Sequence, residues 1–485
     1  MKRATGQNCE HSMLDTPTNA QSRSDLPWDV IVIGGGVVGC AITRRFALAG
    51  ARTLLLEKGS DILSGASKAN SAIMHTGFDA PPDSIELACM KTGYTEYLDI
   101  SDKMNLPTMK CGALVVAWDE TQLAELDGIV EKAHQNGIND VSLIDRQTLR
   151  SKEPGLSNRA LAAVEVPREF VVDPWSAPLA YLAQAVRAGA EYRFNAEVTD
   201  GTFDGKNWHL STDREVFTGK LVINCTGTKG DYIERICHEP KFEIRPRKGQ
   251  FLVYDKSAAS LINAIILPVP SPTTKGVVLT KTIFGNLLLG PTAEEQTDRE
   301  NARVDHDVLQ QLIETGTRIL PDLPTHEVTA TYAGLRPATQ LKDYQISANG
   351  DKNWIGVNGI RSTGLTASLG IAAYVEQLCA ETFGDLIRFE PPKTPSWPQM
   401  PSLAQNAERA YQTGDGTEIV CHCEGVTRGD IERALSSEIP AQSLGGLRRR
   451  TRVMMGRCNG FYCSGRVAEL TKGKLTPPLA SEGDL

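Results

Sequence analysis

The sequence predicts an α/β chain in two modules, on three observations. A strand, a glycine loop, a helix and a second strand follow one another near the start. Helical and strand-like stretches then alternate to about residue 385 with no repeat. Beyond a proline-rich stretch, four cysteines crowd into a short final segment.

The 485 residues are enough for two or three domains and a large core. A net charge of -8 argues against a nucleic-acid binder. No apolar run approaches the roughly 20 residues of a membrane span. Residues 1–26 are polar, lack the apolar stretch of a secretory signal and carry acids that a transit peptide avoids, so a disordered tail is expected. Seven of the eleven cysteines are scattered, and Cys421, Cys423, Cys458 and Cys463 are clustered. An odd total with one cluster argues against a disulfide scaffold and for a reducing cytoplasm with one metal or cluster site.

Taken in order, "WDVIVI" (28–33) reads as a buried strand. "GGGVVG" places Gly34, Gly36 and Gly39 in G-x-G-x-x-G. Gly34 allows the tight turn, Gly36 lets backbone approach a pyrophosphate, and Gly39 lets helix and strand pack closely. The helix "CAITRRFALAG" ends at Gly50, a plausible C-cap, and "RTLLLEK" is the next strand. Glu57 closes that strand 23 positions after Gly34, where a carboxylate accepts a ribose 2′-hydroxyl and repels a 2′-phosphate. The unit therefore predicts a dinucleotide and disfavours NADP; glycines alone do not separate FAD from NAD. Five prolines in residues 391–401 predict a semi-rigid extended linker over 386–416. Residues 417–475 then form a separate small domain, marginal without a metal centre.

The last module spaces its cysteines as C-x-C-x34-C-x4-C. Four thiolates suit an iron–sulfur cluster or zinc, although zinc sites more often use C-x2-C knuckles. His422, between two of these ligands, is expected to face solvent. Arg448, Arg449, Arg450 and Arg452 form a solvated basic face or, alternatively, offset cluster charge or dock an acidic electron-transfer partner.

Four ordered segments carry a family resemblance: "GASKANSAIMHTG" (65–77), "KLVINCTG" (220–227), "YAGLRP" (332–337) and "GIRSTGLTAS" (359–368). With the glycine loop they make residues 28–385 resemble the FAD-dependent D-amino-acid-oxidase-type superfamily, which includes glycine oxidase, L-2-hydroxyglutarate oxidase and flavin glycerol-3-phosphate dehydrogenases. The resemblance implies FAD, and no second G-x-G-x-x-G marks a separate NAD domain. It implies a Rossmann-type FAD-binding domain from about 27–95, 166–230 and 331–385. A mainly antiparallel substrate domain, from about 96–165 and 231–330, is interleaved with it. Ser67, Gly227, Gly364, Leu365 and Thr366 are thereby placed against FAD. "CHCEGVTRGDI" and "LRRRTRVMMGRCNGFYCSGR" resemble the bacterioferritin-associated-ferredoxin-type [2Fe–2S] domain, as found at the end of the anaerobic glycerol-3-phosphate dehydrogenase large subunit. That implies a cluster on the four cysteines.

A flavin takes a hydride and a [2Fe–2S] cluster passes single electrons, so the combination implies a dehydrogenase with an outlet other than oxygen. Arg336, in "YAGLRP", matches an arginine that binds substrate carboxylate or phosphate in the family. His75, in "MHTG", matches a flavin-proximal histidine, either a base for the hydroxyl proton or a core histidine. Some relatives attach FAD covalently nearby. Lys248 and Lys281 either add charge to the pocket or are surface and structural residues. The chain departs from glycerol-3-phosphate dehydrogenases at Phe78 and Asp79, where those carry an arginine. It departs again at "GIRSTGLTAS", where those carry "GGK", so Arg361 would have to replace the lost cations. "NSAIMHTGFDAPPDSIELACMKTG" and "MKCGALVVA" instead resemble the L-2-hydroxyglutarate oxidase branch.

The expected activity is therefore oxidation of a small anionic 2-hydroxy acid or polyol phosphate. Glycerol-3-phosphate oxidation, amino- or imino-acid oxidation and a non-catalytic redox carrier or sensor are the rivals. The expected partner is an electron-acceptor protein or quinone-linked subunit. The expected location is the cytoplasm, with attachment at the inner face of the membrane through a partner as the alternative.

Overall fold

Trp28–Ile33 forms the central strand, β1, of an eight-stranded sheet. The computed structural model describes residues 26–270, 276–386, 395–414 and 418–480. Strand β2, Thr53–Leu56, lies parallel on one side of β1, and Val216–Asn224 lies parallel on the other. Glu191–Arg193 and Trp354–Asn358 extend the parallel core outward. Val30, Ile31, Val32, Leu54, Leu55 and Leu56 are wholly inaccessible. Burial on both faces is why these strands read as unbroken apolar runs. Helix α1, Val37–Leu48, packs against Ser176–Arg187 and Gly364–Phe383. The last of these also packs on Ile85–Ser101, at glycines: a Cβ on Gly370 would sit 2.0 Å from the Cys89 carbonyl oxygen, and one on Gly93 2.2 Å from that of Thr366.

A second, nine-stranded sheet is antiparallel except where Ile265–Pro268 runs parallel to Ala113–Ala117. Its longest pair is Ile244–Tyr254 with Val328–Thr339, which sets Arg247 opposite Arg336. The "YAGLRP" segment thus lies in this second sheet, held by eleven residue pairs with one bulge at Val253/Tyr254.

The expected tail, apart from Leu26, lies outside the described residues, as do 387–394 and 415–417 of the expected linker. The rest of that linker is not a free spacer. The Met400 amide donates to the Met104 carbonyl and the Met400 carbonyl accepts from the Asn105 side chain, the Gln405 amide donates to the Ile283 carbonyl, and Lys103 sits over the Trp397 ring. Leu403 and Ala404 are buried among substrate-domain side chains.

The C-terminal module is a short hairpin, Ile419–Cys421 with Val426–Thr427, and three helices, Arg428–Ser436, Leu444–Thr451 and Ser464–Thr471. Val426, Ile431, Leu447, Val453 and Val467 fill its small core. Thr427 and Asp430 form a reciprocal capping box at the first helix.

The basic run is not a solvated face. Arg450 makes a two-point ion pair with Asp61, at 2.8 and 2.9 Å, and both side chains are buried. Arg449 donates to the Ile62 carbonyl, and Arg452 pairs with buried Glu424 at 2.8 Å. Asp61 follows β2 closely, so the module is docked on the loop beside the dinucleotide cleft rather than swinging on a tether.

Candidate functional site

One long cavity runs from the glycine loop to the substrate sheet. Its wall includes Gly34, Gly36, Glu57, Ser67, Gly227, Gly364 and Leu365, so most of the expected FAD residues converge. Gly34 has φ +107°, and a Cβ there would lie 2.6 Å from the Cys225 carbonyl oxygen, so the turn demands glycine. A Cβ on Gly39 would strike the Gly34 carbonyl oxygen at 1.9 Å; this glycine sets helix–strand contact and is not in the cavity wall.

Two helices begin at the cavity, α1 after Gly36 and the long helix at Gly364, and neither has a side-chain cap on its own N-cap residue. Such N-termini present N–H groups and partial positive charge to an anion. Ser67 accepts from the Val37 amide at 3.0 Å and holds the flavin-motif loop to α1. The Glu57 carboxylate accepts from Gly35 and Gly59 amides at 2.7 and 2.8 Å. Burial nevertheless raises its pKa against those bonds. Each of its oxygens retains a second lone pair for a ribose hydroxyl. These residues fit the ADP part of FAD.

Thr366 is not in the wall. Its hydroxyl accepts from the His75 amide at 3.1 Å and faces the strand Ile73–Met74, so it positions the histidine segment rather than lining the cleft.

His75 lies beside that helix start, outside the cavity-lining residues, with its side chain 24% exposed. Its Nδ1 is 2.7 Å from Glu169 Oε2. Glu169 is wholly buried, and its other oxygen accepts from the amide and hydroxyl of Thr76. A carboxylate at Nδ1 favours the tautomer with the proton on that nitrogen and orients the ring. Sequence reasoning missed Glu169: it lies 94 positions away in "VPREFVVD", which carries no motif.

Arg336 is in the wall, half-buried, and donates only to the Thr292 carbonyl, at 3.3 Å. Among the described residues no carboxylate pairs with it. Burial, with Arg247 nearby, pulls its pKa down to about 10, so it stays cationic at neutral pH. A desolvated cation facing a cavity without a counter-ion calls for an anionic ligand. Arg361 is also in the wall, 3.8 Å from Glu86. Lys248 is paired with Glu294 at 3.1 Å, and neither it nor Lys281 reaches the wall.

The four clustered cysteines meet in pairs. Cys423 is in hydrogen-bonding contact with Cys458, and Cys421 with Cys463. Charge interactions also link Cys421 with Cys423 and Cys458 with Cys463, so the four thiols form one group, a donor set that fits a two-iron cluster. Cys458 accepts from backbone amides, foremost that of Tyr462, which lowers its pKa and favours the thiolate. Burial raises Cys463 to about 11. His422 faces solvent as expected.

Comparison with known proteins agrees with this geometry. The model for "FAD dependent oxidoreductase" matches residues 29–378, and that for "BFD-like [2Fe-2S] binding domain" matches 419–472. A glycerol 3-phosphate dehydrogenase of Caloramator mitchellensis is 30% identical, over 92% of this chain and 94% of its own. A mitochondrial L-2-hydroxyglutarate dehydrogenase of Nematostella vectensis is 27% identical, over 70% of this chain and 80% of its own. The structure of dithionite-reduced L-alpha-glycerophosphate oxidase from Mycoplasma pneumoniae with FAD bound superposes with a TM-score of 0.69 at 26% identity, covering 77% of this chain and 97% of that one. The chain belongs to the FAD-dependent oxidoreductase family and carries a BFD-like [2Fe–2S] domain at its C-terminal end.

Proposed function

We propose that the protein is an FAD-dependent dehydrogenase of a small anionic alcohol, and that glycerol 3-phosphate or a close polyol phosphate is its substrate. Arg336, a desolvated cation in the cavity wall without an acidic partner among the described residues, carries the reading. Arg361 lies in the same wall, with its charge partly balanced by Glu86 at 3.8 Å. A relative that spans both modules is a glycerol 3-phosphate dehydrogenase, which ranks this substrate over a 2-hydroxy acid. The 2-hydroxy acid remains the second reading, because Phe78 and Asp79 stand where glycerol-3-phosphate dehydrogenases carry a cation.

Bound FAD supplies hydride acceptance. Arg336 orients the substrate by its anionic end. His75, held by Glu169, takes the hydroxyl proton at Nε2. Cys421, Cys423, Cys458 and Cys463 would hold the cluster, which would supply one-electron transfer to an acceptor protein or quinone-linked subunit. No helix among the described residues is long and apolar enough to cross a membrane.

The test is anaerobic flavin bleaching against glycerol 3-phosphate, L-2-hydroxyglutarate and a panel of amino acids. The proposal expects glycerol 3-phosphate to bleach fastest at low concentration. Bleaching by amino acids alone would overturn it.

A further inference from the structure

Between the flavin cavity and the cysteines runs a continuous stack of planar groups. Lys68 and Pro174 belong to the cavity wall. The Trp175 indole N–H donates to the Lys68 carbonyl at 3.1 Å. The Trp175 ring lies 5.4 Å from the Phe284 ring, the planes 14° apart. On Phe284 sits the Arg452 guanidinium, 4.1 Å from the ring centroid. Arg452 then pairs with Glu424, the neighbour in sequence of Cys423. Three parts of the chain far apart in sequence are thus brought into one line.

The surroundings hold this line in place. Arg452 has φ +66°, the left-handed turn that caps the helix Leu444–Thr451, with its amide donating to the Arg448 carbonyl. Its side chain is 5% exposed. Gly285, at φ +91°, turns the chain after Phe284, and any Cβ there would overlap Gln405 of the connecting segment. The connecting segment thereby clamps the Phe284 loop. A merely structural ion pair between Arg452 and Glu424 requires no aromatic ring beneath the guanidinium.

We infer that Trp175, Phe284 and Arg452 form the path by which electrons pass from the flavin cavity to the cluster. The inference rests on the two-cofactor reading above. Reduced flavin gives up two electrons one at a time, each crossing converts one ferric iron of the cluster to ferrous, and the flavin's proton leaves to water. The cluster hands each electron to the acceptor before the next crosses. No covalent bond forms along the stack.

Phe284→Leu keeps an apolar side chain of similar size but removes the planar face. Phe284→Tyr restores the face. Each full-length protein is loaded with FAD and cluster, and flavin and iron contents are measured. The flavin is then photoreduced by a blue-light pulse with a tertiary amine donor, and flavin and cluster absorbances are followed in the dark. No substrate is needed, so failure of the substrate assignment leaves this test standing, and iron content reports separately whether the cluster is present. Phe284→Leu should slow cluster reduction by about tenfold or more, a barrier increase of about 1.4 kcal/mol, with flavin photoreduction unchanged. Phe284→Tyr should return the parent rate. Hydrogen exchange across residues 282–286 and 452–456 is read on the same proteins and should not change. Cluster reduction at the parent rate in Phe284→Leu overturns the inference. Slowed reduction accompanied by raised exchange also overturns it, because the stack would then be a clamp.

Discussion

The flavin module and the cysteine module are stabilised by different physics. In the first, β1 and β2 are covered on both faces and the apolar cores run through two large sheets. In the second, residues 418–480 enclose one small core, while Phe461 and Tyr462 stand 79% and 82% exposed between two of the cysteines. The first is large enough to fold on apolar burial. The second gains its missing stability from ligation and from docking through Arg449 and Arg450. Binding energy spent on metal and on a neighbour is lost when either is removed, and that asymmetry can be broken experimentally.

The largest effect should come from Cys458→Ser. Bound iron should fall to near zero and the module should become protease-sensitive, while FAD remains bound; iron analysis and limited proteolysis read both. Loss of FAD together with iron would show that the modules do not separate energetically. Next, Asp61→Ala leaves Arg450 buried without its counter-ion, a cost of about 3–5 kcal/mol. Urea unfolding should show the module releasing early, with the flavin transition less affected.

Two changes in the flavin module should leave iron untouched. Arg336→Lys keeps charge but loses the fork, and should raise KM about tenfold with FAD retained. The depressed pKa of Arg336 adds a pH signature: the cation is present below about 10 and lost as pH rises through it, so substrate KM should climb above that value. Arg336→Lys should alter that limb. The smallest effect belongs to Glu169→Gln, which removes the charge orienting His75. It should lower kcat about threefold with KM little changed, as read by steady-state kinetics. An unchanged kcat would mean that Glu169 only packs.

The sequence was most informative where a motif demands a residue for local reasons. Gly34, Gly36 and Glu57 fall where the strand–turn–helix unit places them, because backbone sterics at Gly34 admit no other residue. The four cysteines were legible because thiols so closely grouped have few other uses. Arg336 was legible through its motif, although its sheet was not: alternation within "YAGLRP" does not reveal that the strand pairs with Ile244–Tyr254. Glu169 and Asp61 were illegible because each acts on a partner far away in sequence, through a contact that only the tertiary fold creates. The arginine run misled for the same reason. Consecutive charges on a short helix usually mark a solvated face, and only the docked neighbour buries these.

The central claim is that substrate electrons pass from flavin to the protein's own cluster. Protein purified anaerobically should contain two irons and two sulfides per chain. Mixed with excess glycerol 3-phosphate in a stopped-flow spectrometer, it should show flavin bleaching first and cluster bleaching second, with the reduced-cluster paramagnetic signal growing at the second rate. Flavin bleaching with a cluster that stays oxidised, or stoichiometric zinc in place of iron, would contradict the account.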